Sequence, residues 1–194
     1  KGLIFCSRNE EAGILSEKLN QRGLLTISLN GSHSQEEREA AIKQLESDQR
    51  LLDYIISVDI FNEGVDIPKV NQVIMLRPTQ SATIFVQQLG RGLRKDKEKE
   101  YVVVIDFIGN YKNNFMIPIA LSGDKSLSKN TLRKFVQEGT QLLPGTSTIE
   151  FDRITKEQIF RKVDQENFST LKHLKKSYFD LKYRIGRIPS LLDY

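Results

Sequence analysis

Five apolar or β-branched runs, Gly2–Cys6, Leu24–Leu29, Tyr54–Val58, Val73–Leu76 and Tyr101–Phe107, alternate with stretches of helical periodicity over the first 107 residues. The runs are continuously hydrophobic rather than alternating, which suits strands buried on both faces of a parallel sheet. Asn9–Arg22 places Ile14, Leu15 and Leu19 on one side and is followed by Gly23, a natural C-terminal stop. Ser34 with Glu37 three residues later makes a capping box for a helix running to about Ser47. A further helix opens at Ser81 and reaches about Leu93. Strand and helix in this order predict a doubly wound, three-layer α/β domain whose ligands sit at the carboxyl ends of the strands.

Composition narrows the class. The 194 residues include 39% hydrophobic side chains and a formal charge of +4, too apolar and too weakly charged for a disordered chain. A lone Cys6 excludes an internal disulfide framework. The longest apolar run, Phe115 to Leu121, is interrupted by Pro118 and is far short of the ~20 residues that span a bilayer. No signal peptide is recognised, and a cytoplasmic location is expected. The chain begins at Lys1 in what already looks like a strand, so it reads as part of a longer polypeptide.

The charge is unevenly shared. Residues 1–122 hold 15 basic and 16 acidic side chains, whereas residues 123–194 hold 14 and 9. The expected division is therefore an α/β domain over 1–122 and a mostly helical, basic accessory region over 123–194. A basic tail attracts polyanions, nucleic acid first among them; a merely solvated surface is the other reading.

On the helix at 81–94, Ala82, Phe85, Val86, Leu89 and Leu93 fall within one arc and face the core. Gln87, Arg91 and Arg94 fall on the opposite side, with Gly90 and Gly92 keeping the adjacent surface low. Two planar, permanently charged guanidiniums on a rigid element suit the oxygens of a phosphoryl group under transfer. The same spacing is also compatible with an ordinary solvated helix face.

Gln87, Gly90, Arg91 and Arg94 resemble motif VI of the superfamily 2 helicases, in their carboxyl-terminal RecA-like lobe. Asp59-Ile60-Phe61-Asn62-Glu63-Gly64-Val65-Asp66-Ile67-Pro68 is similar to motif V of that lobe in its Glu-Gly-x-Asp-Ile-Pro form. Leu3-Ile4-Phe5-Cys6-Ser7-Arg8 resembles motif IV, and Asn30 to Arg38 resembles the segment after it. All four segments stand in the family's order. The form of the second segment resembles the branch that holds the excision-repair helicases, the type III restriction motors and the RNA-sensor helicases.

The resemblance implies a RecA-like lobe that closes on ATP held by a partner amino-terminal lobe of the same polypeptide, which also holds Mg²⁺. Arg91 and Arg94 would be arginine fingers, with Gln87 orienting at the same interface. Asp66 would bind the ATP ribose or hold the finger arginines, and Glu63 would couple nucleotide to nucleic acid. Gly64 would allow the tight turn between strand and ligand. Ser7, Arg8 and Gly31 resemble positions that grip nucleic-acid phosphates without reading bases, with DNA expected over RNA. Capping alone is the plainer reading of Ser34, and Arg38 has neighbouring glutamates with which to pair. Where many relatives place a threonine this chain has Val58, which cannot donate a hydrogen bond, and Ser57 should point to the opposite face of its strand.

Neither His33 nor His173 has a second ligand at metal spacing, so no metal site is expected. No phosphate loop and no Asp-Glu-x-His box occurs in the chain, so it should not hydrolyse ATP by itself. A catalytically degenerate nucleic-acid- or protein-binding module is the alternative. Beyond Phe107 the expected elements are a short helix near Leu121, helices over Ser128–Glu138 and Thr155–Lys162, and a short strand over Ser147–Phe151. A helical pattern over Phe168–Tyr183 and a sharp turn at Gly186–Pro189 follow.

Overall fold

The computed structural model describes residues 1–58, 67–77, 100–108, 114–122, 128–138, 148–165, 178–179, 181–183 and 186–188. The expected helix at 81–93 and most of the pattern at 168–183 lie outside these residues. The chain forms two compact units, Lys1–Gly123 and Asp124–Tyr194.

In the first unit the elements are β1 (Gly2–Phe5), α1 (Asn9–Asn20), β2 (Thr26–Leu29), α2 (Gln35–Glu46), β3 (Tyr54–Ser57), β4 (Gln72–Met75), β5 (Val103–Asp106) and α3 (Met116–Ser122). The strands make one five-stranded sheet in the order β2-β3-β1-β4-β5, with every neighbouring pair parallel. Each of the five apolar runs has become a strand. The order reverses direction between β1→β2 and β2→β3, so right-handed connections place α1 and α2 on opposite faces.

Packing follows the alternation of the strands. Ile4, Cys6 and Ile56 cluster with Ala12 of α1, and Leu15, Leu19, Tyr54, Val58 and Ile74 pack around them. Leu3, Phe5, Ile55, Val73 and Met75 form the other face and are also buried. Gly2 lies under the ring of Tyr54, and a Cβ there would stand 2.5 Å from Tyr54 Cε1 and 2.9 Å from the Gln72 carbonyl oxygen.

Two expectations are corrected here. Ile14 is 47% exposed, while the buried stripe of α1 runs through Ala12 and Ser16 beside Leu15 and Leu19. The helix buries two small residues because they sit on the face that meets the sheet; hydrophobicity alone favours Ile14. Strands buried on both faces hold for β1 but not for β5, whose Val103 and Ile105 are exposed. As the last strand in the order, β5 has a neighbour on one side only among the described residues.

Local signals were reliable where they were chemical. The Ser34 hydroxyl accepts from Glu37 N–H and the Glu37 carboxylate accepts from Ser34 N–H, completing the capping box. Gly23 takes φ +85°, with Leu24 N–H bonded to the Leu19 carbonyl and Gly23 N–H to that of Asn20, a Schellman ending that favours glycine.

In the second unit α4 (Lys129–Glu138) and α5 (Arg153–Gln165) bury Leu132, Phe135 and Val136 on the first and Thr155, Ile159 and Val163 on the second. Arg133 pairs with Asp164, and Lys129 Nζ donates to the Asp164 carbonyl at 3.0 Å. Residues 148–151 form no strand; Phe151 is buried, and Asp152 caps α5 by accepting from Thr155 N–H at 3.0 Å. With no neighbouring strand to pair among the described residues, a lone β-branched run gives way to a cap. Gly186, at φ +68°, makes the expected turn. Among the described residues no helix is long and apolar enough to cross a membrane.

Candidate functional site

Because all five strands run in one direction, their last residues share an edge of the sheet. The register aligns Leu29, Ser57, Phe5, Met75 and Asp106 in one row across it. Beyond that row the chain leaves β1 at Cys6–Ser7–Arg8, β2 at Asn30–Gly31, β3 at Val58 and β4 at Arg77. Ser7 and Gly31 are therefore flanking positions on one edge, with only β3 between their strands. At the usual strand spacing β1 and β2 are about 10 Å apart.

Ser7 and Arg8 are exposed, and Arg8 is the N-cap of α1 in extended geometry without a side-chain cap bond. The first turn of α1 therefore keeps backbone N–H groups that no capping side chain covers, the arrangement that favours anions. Glu10 and Glu11 in that turn oppose this attraction, and Arg8 Nε lies 3.9 Å from Glu11 Oε1. At 77% side-chain exposure the Arg8 guanidinium keeps access to a phosphate. Cys6, just before them, is buried; burial first and the Glu11 charge second push its thiol up to about 11, so it is an inert packing residue.

The turn from β2 into α2 is built differently. The Asn30 side-chain oxygen accepts from Ser32 N–H at 3.0 Å and from the Ser32 hydroxyl at 2.6 Å, and His33 N–H donates to the Asn30 carbonyl at 3.3 Å. Asn30 N–H donates to His33 Nδ1 at 3.1 Å. Arg38 reaches back from α2, its Nη2 donating to the carbonyls of Gly31 at 3.1 Å and Asn30 at 3.4 Å. This guanidinium thus serves the turn. The Glu37 carboxylate is held below its usual range by the Ser34 N–H it accepts from. Gly31 sits exposed at the tip, its φ is not left-handed, and a Cβ there would meet nothing within 4 Å.

Neither His33 nor Asn30 is singled out by periodicity or motif. Both lie within the segment resembling the family's, but their hydrogen bonds are invisible to spacing. Ser57 and Val58 part as expected: Val58 packs toward α1, while Ser57 is fully buried with its hydroxyl unpartnered among the described residues. A buried hydroxyl gives no phosphate contact.

The candidate catalytic residues Gln87, Arg91 and Arg94, and the candidate nucleotide residues Glu63, Gly64 and Asp66, lie outside the described residues. The segments that carry them, 59–66 and 78–99, begin directly after Val58 and Arg77. Both departures are at the carboxyl edge of the sheet, the end at which open parallel sheets bind ligands.

Residues 1–96 match the family model described as helicase conserved C-terminal domain. Among curated proteins, the chain is similar to the putative ATP-dependent helicase IRC3 of Saccharomyces cerevisiae, 30% identical over 107 residues, covering 55% of this chain and 15% of that protein. It is similar also to the pre-mRNA-splicing ATP-dependent RNA helicase Prp28 of Schizosaccharomyces pombe, 32% identical over 107 residues, with the same coverages. ATP-dependent RNA helicase SrmB of Haemophilus influenzae is 30% identical over 106 residues, 55% of this chain and 24% of that protein. The chain thus spans between 15% and 24% of the length of these relatives. Among solved structures, Saccharomyces cerevisiae Dbp5 bound to Gle1 and IP6 superposes with a TM-score of 0.50 at 19% identity, covering 86% of this chain and 39% of that one. The first unit has the RecA-like fold of such lobes.

Proposed function

We propose that this chain, whose residues 1–96 match the helicase conserved C-terminal domain, is the second motor lobe of an ATP-dependent superfamily 2 nucleic-acid helicase or translocase. The family match over that stretch carries the reading, and the common sheet edge of Ser7, Gly31, Val58 and Arg77 supports it. ATP, with Mg²⁺ held by an amino-terminal lobe of the same polypeptide, would supply the phosphoryl group under transfer. Glu63, Gly64 and Asp66 would meet the nucleotide, and Arg91 and Arg94, with Gln87 beside them, would stabilise its phosphates when the lobes close. Their segments start from the edge where such a ligand binds.

Ser7, Arg8 and Gly31 would hold the phosphates of the strand, a contact blind to base and largely blind to sugar. The names of Prp28 and SrmB state RNA helicases, so RNA takes equal place with DNA as the track and the preference for DNA is dropped. The Glu-Gly-x-Asp-Ile-Pro form supports the excision-repair and type III restriction branch, and a cytoplasmic setting accords with this role.

The test is nucleic-acid-stimulated ATPase of the full-length protein carrying Arg91→Ala or Arg94→Ala. An arginine finger is worth about 10³–10⁵ in rate. Losses below tenfold in both variants would remove the proposed role. The isolated 194-residue chain should turn over no ATP, and turnover at the rate of an intact motor would contradict the reading.

A further inference from the structure

We propose that the outer edge of β5 is an interface between two copies of this chain, which pair antiparallel about a two-fold axis through Val104. The proposal stands apart from the motor reading, since it uses none of the residues assigned there.

The fold treats the two edges of the described sheet differently. At the β2 edge the Asn20 side chain bonds both the N–H and the carbonyl of Thr26. β5 has no such closure among the described residues. Val103 N–H donates to the Asn71 carbonyl at 2.9 Å and Phe107 N–H to that of Met75 at 3.4 Å. Backbone groups alternate in direction along a strand, so those of Val102 and Val104 point away from β4. Edges of this kind are normally blunted by lysine, proline or a bulge. The stretch Tyr101-Val102-Val103-Val104-Ile105 holds no charge, no proline and no glycine.

The side chains lead to the same edge. Tyr101, Val103, Ile105 and Phe107 recur at every second residue and are between 39% and 71% exposed, while Val102 and Val104 between them are half-buried. Ile105 lies beside Ile74, which packs toward α1, so the exposed stripe is on the α1 face of the sheet. α1 itself lies over β1, β3 and β2 and leaves the stripe uncovered. Leu76, also exposed, extends it onto the end of β4.

The occupant is specified by the strand itself. Turned end for end about Val104, the stripe matches its own sequence. Tyr101 meets Phe107 of the second copy and Val103 meets its Ile105, aromatic on aromatic and β-branched on β-branched. The backbone agrees, because this register sets the outward N–H and carbonyl of one Val104 against those of the other as an antiparallel hydrogen-bonded pair. A slip of one residue opposes outward groups to inward ones and breaks both matches. An aromatic side chain buries about 150–250 Å², so at these exposures the stripe offers roughly 400 Å² per copy, the size of patch that is often functional. Roughly 800 Å² over two copies is short of the about 1,200 Å² at which standard interfaces begin, which makes this a weak, concentration-dependent dimer.

The experiment is sedimentation equilibrium of the 194-residue chain over roughly 5–500 µM. The weight-average mass should rise from one chain to two, with a midpoint on the order of tens of micromolar. Val103→Lys and Ile105→Glu should each weaken association at least tenfold, because each puts an unmatched charge against an apolar partner. An equimolar mixture of the two variants should recover at least fivefold of that loss, since the new lysine of one copy then faces the new glutamate of the other. Both positions are exposed, so thermal melts should be those of the parent. If either variant loses its cooperative melt, Tyr101→Lys with Phe107→Glu, the next pair out in the same register, decides. A chain that stays single at every concentration overturns the proposal. So does association that neither variant weakens, a mixture no tighter than its components, or growth beyond two copies, which a two-fold axis forbids.

Discussion

The Asn20 side chain closes the free edge of β2: its Oδ1 accepts from Thr26 N–H at 2.7 Å and its Nδ2 donates to the Thr26 carbonyl at 3.1 Å. Among the described residues Thr26 begins the outermost strand on this side of the sheet, and Asn20, the last residue of α1, supplies the pair of bonds a neighbouring strand would have made. A row of unpaired edge groups invites pairing with another chain, so the amide protects as well as stabilises. Ser16 adds a second tie, its hydroxyl 2.9 Å from Thr26 Oγ1. Replacing Asn20 by Ala should cost about 1–2 kcal/mol, read as a lowered urea midpoint at unchanged slope. Asn20→Asp keeps the acceptor and loses the donor, and should fall between the two. Equal stability of Asn20→Ala and the unaltered chain would show that water serves Thr26 as well.

Two glycines should respond in opposite senses to the same substitution. Gly2→Ala drives a methyl against the Tyr54 ring and the Gln72 carbonyl, and the backbone oxygen cannot swing away as a side-chain tip can. Overpacking of this kind typically costs about 1–3 kcal/mol. Gly13 lies inside α1 with open space where its Cβ would be, so Gly13→Ala should stabilise by roughly 0.5–1 kcal/mol through helix propensity. Thermal melts of the two variants against the parent check both signs together.

The elements that spacing revealed are those whose cause is local. Gly23 stops α1 because the positive φ belongs to one residue, and Ser34 with Glu37 form their box within one turn. The misplacement of Ile14 shows where apolar periodicity fails: the buried stripe contains Ala12 and Ser16, which hydrophobicity does not mark. That β5 would lie at an edge follows from strand order, which no single segment encodes. At the candidate site, motif resemblance marked Ser7, Arg8 and Gly31 as one interface, and the parallel register brings their strands out at one edge. Arg38 was legible as the last residue of the family-like segment from Asn30, or as a charge with glutamates beside it, but not by what it holds. Its two carbonyl partners lie seven and eight residues back, across a turn whose shape only the folded chain defines.

Acid should weaken the end of the sheet opposite the candidate site. Arg50 holds the Asp53 carboxylate through Nε at 2.9 Å and Nη2 at 2.7 Å, and Leu25 N–H donates to the same carboxylate at 2.9 Å. These bonds, the Arg50 pair first, pull the Asp53 carboxyl down to about 2. A depressed folded-state value means stability that is present in full above the unfolded carboxyl range and is lost as pH falls through about 2. Asp53→Asn should therefore be less stable than the parent by on the order of 1 kcal/mol near neutrality, a modest figure because Arg50 is largely exposed. The gap should narrow from about pH 4 downward. A gap that stayed constant between pH 6 and pH 2.5, followed by urea unfolding, would mean the carboxylate charge contributes nothing.

Gly31 offers the sharpest separation of fold from function. Its backbone is not left-handed and its surroundings are empty, so the fold makes no demand for glycine there. Removing a glycine where alanine fits restricts the unfolded chain, and Gly31→Ala should leave stability unchanged or raise it by about 0.4–1 kcal/mol. A bound strand makes the opposite demand, because a phosphate that must clear a methyl stands further from the Gly31 N–H. A displacement of even a few tenths of an ångström weakens a charge-assisted bond. The expected result is a variant as stable as its parent whose affinity for a labelled single-stranded oligonucleotide is reduced roughly 5- to 30-fold, the equivalent of ~1–2 kcal/mol. Fluorescence anisotropy at fixed salt measures the affinity, and a melt on the same preparation measures the fold. Undiminished affinity would place the strand elsewhere than on this tip; lost stability would return Gly31 to the ordinary business of turning the chain.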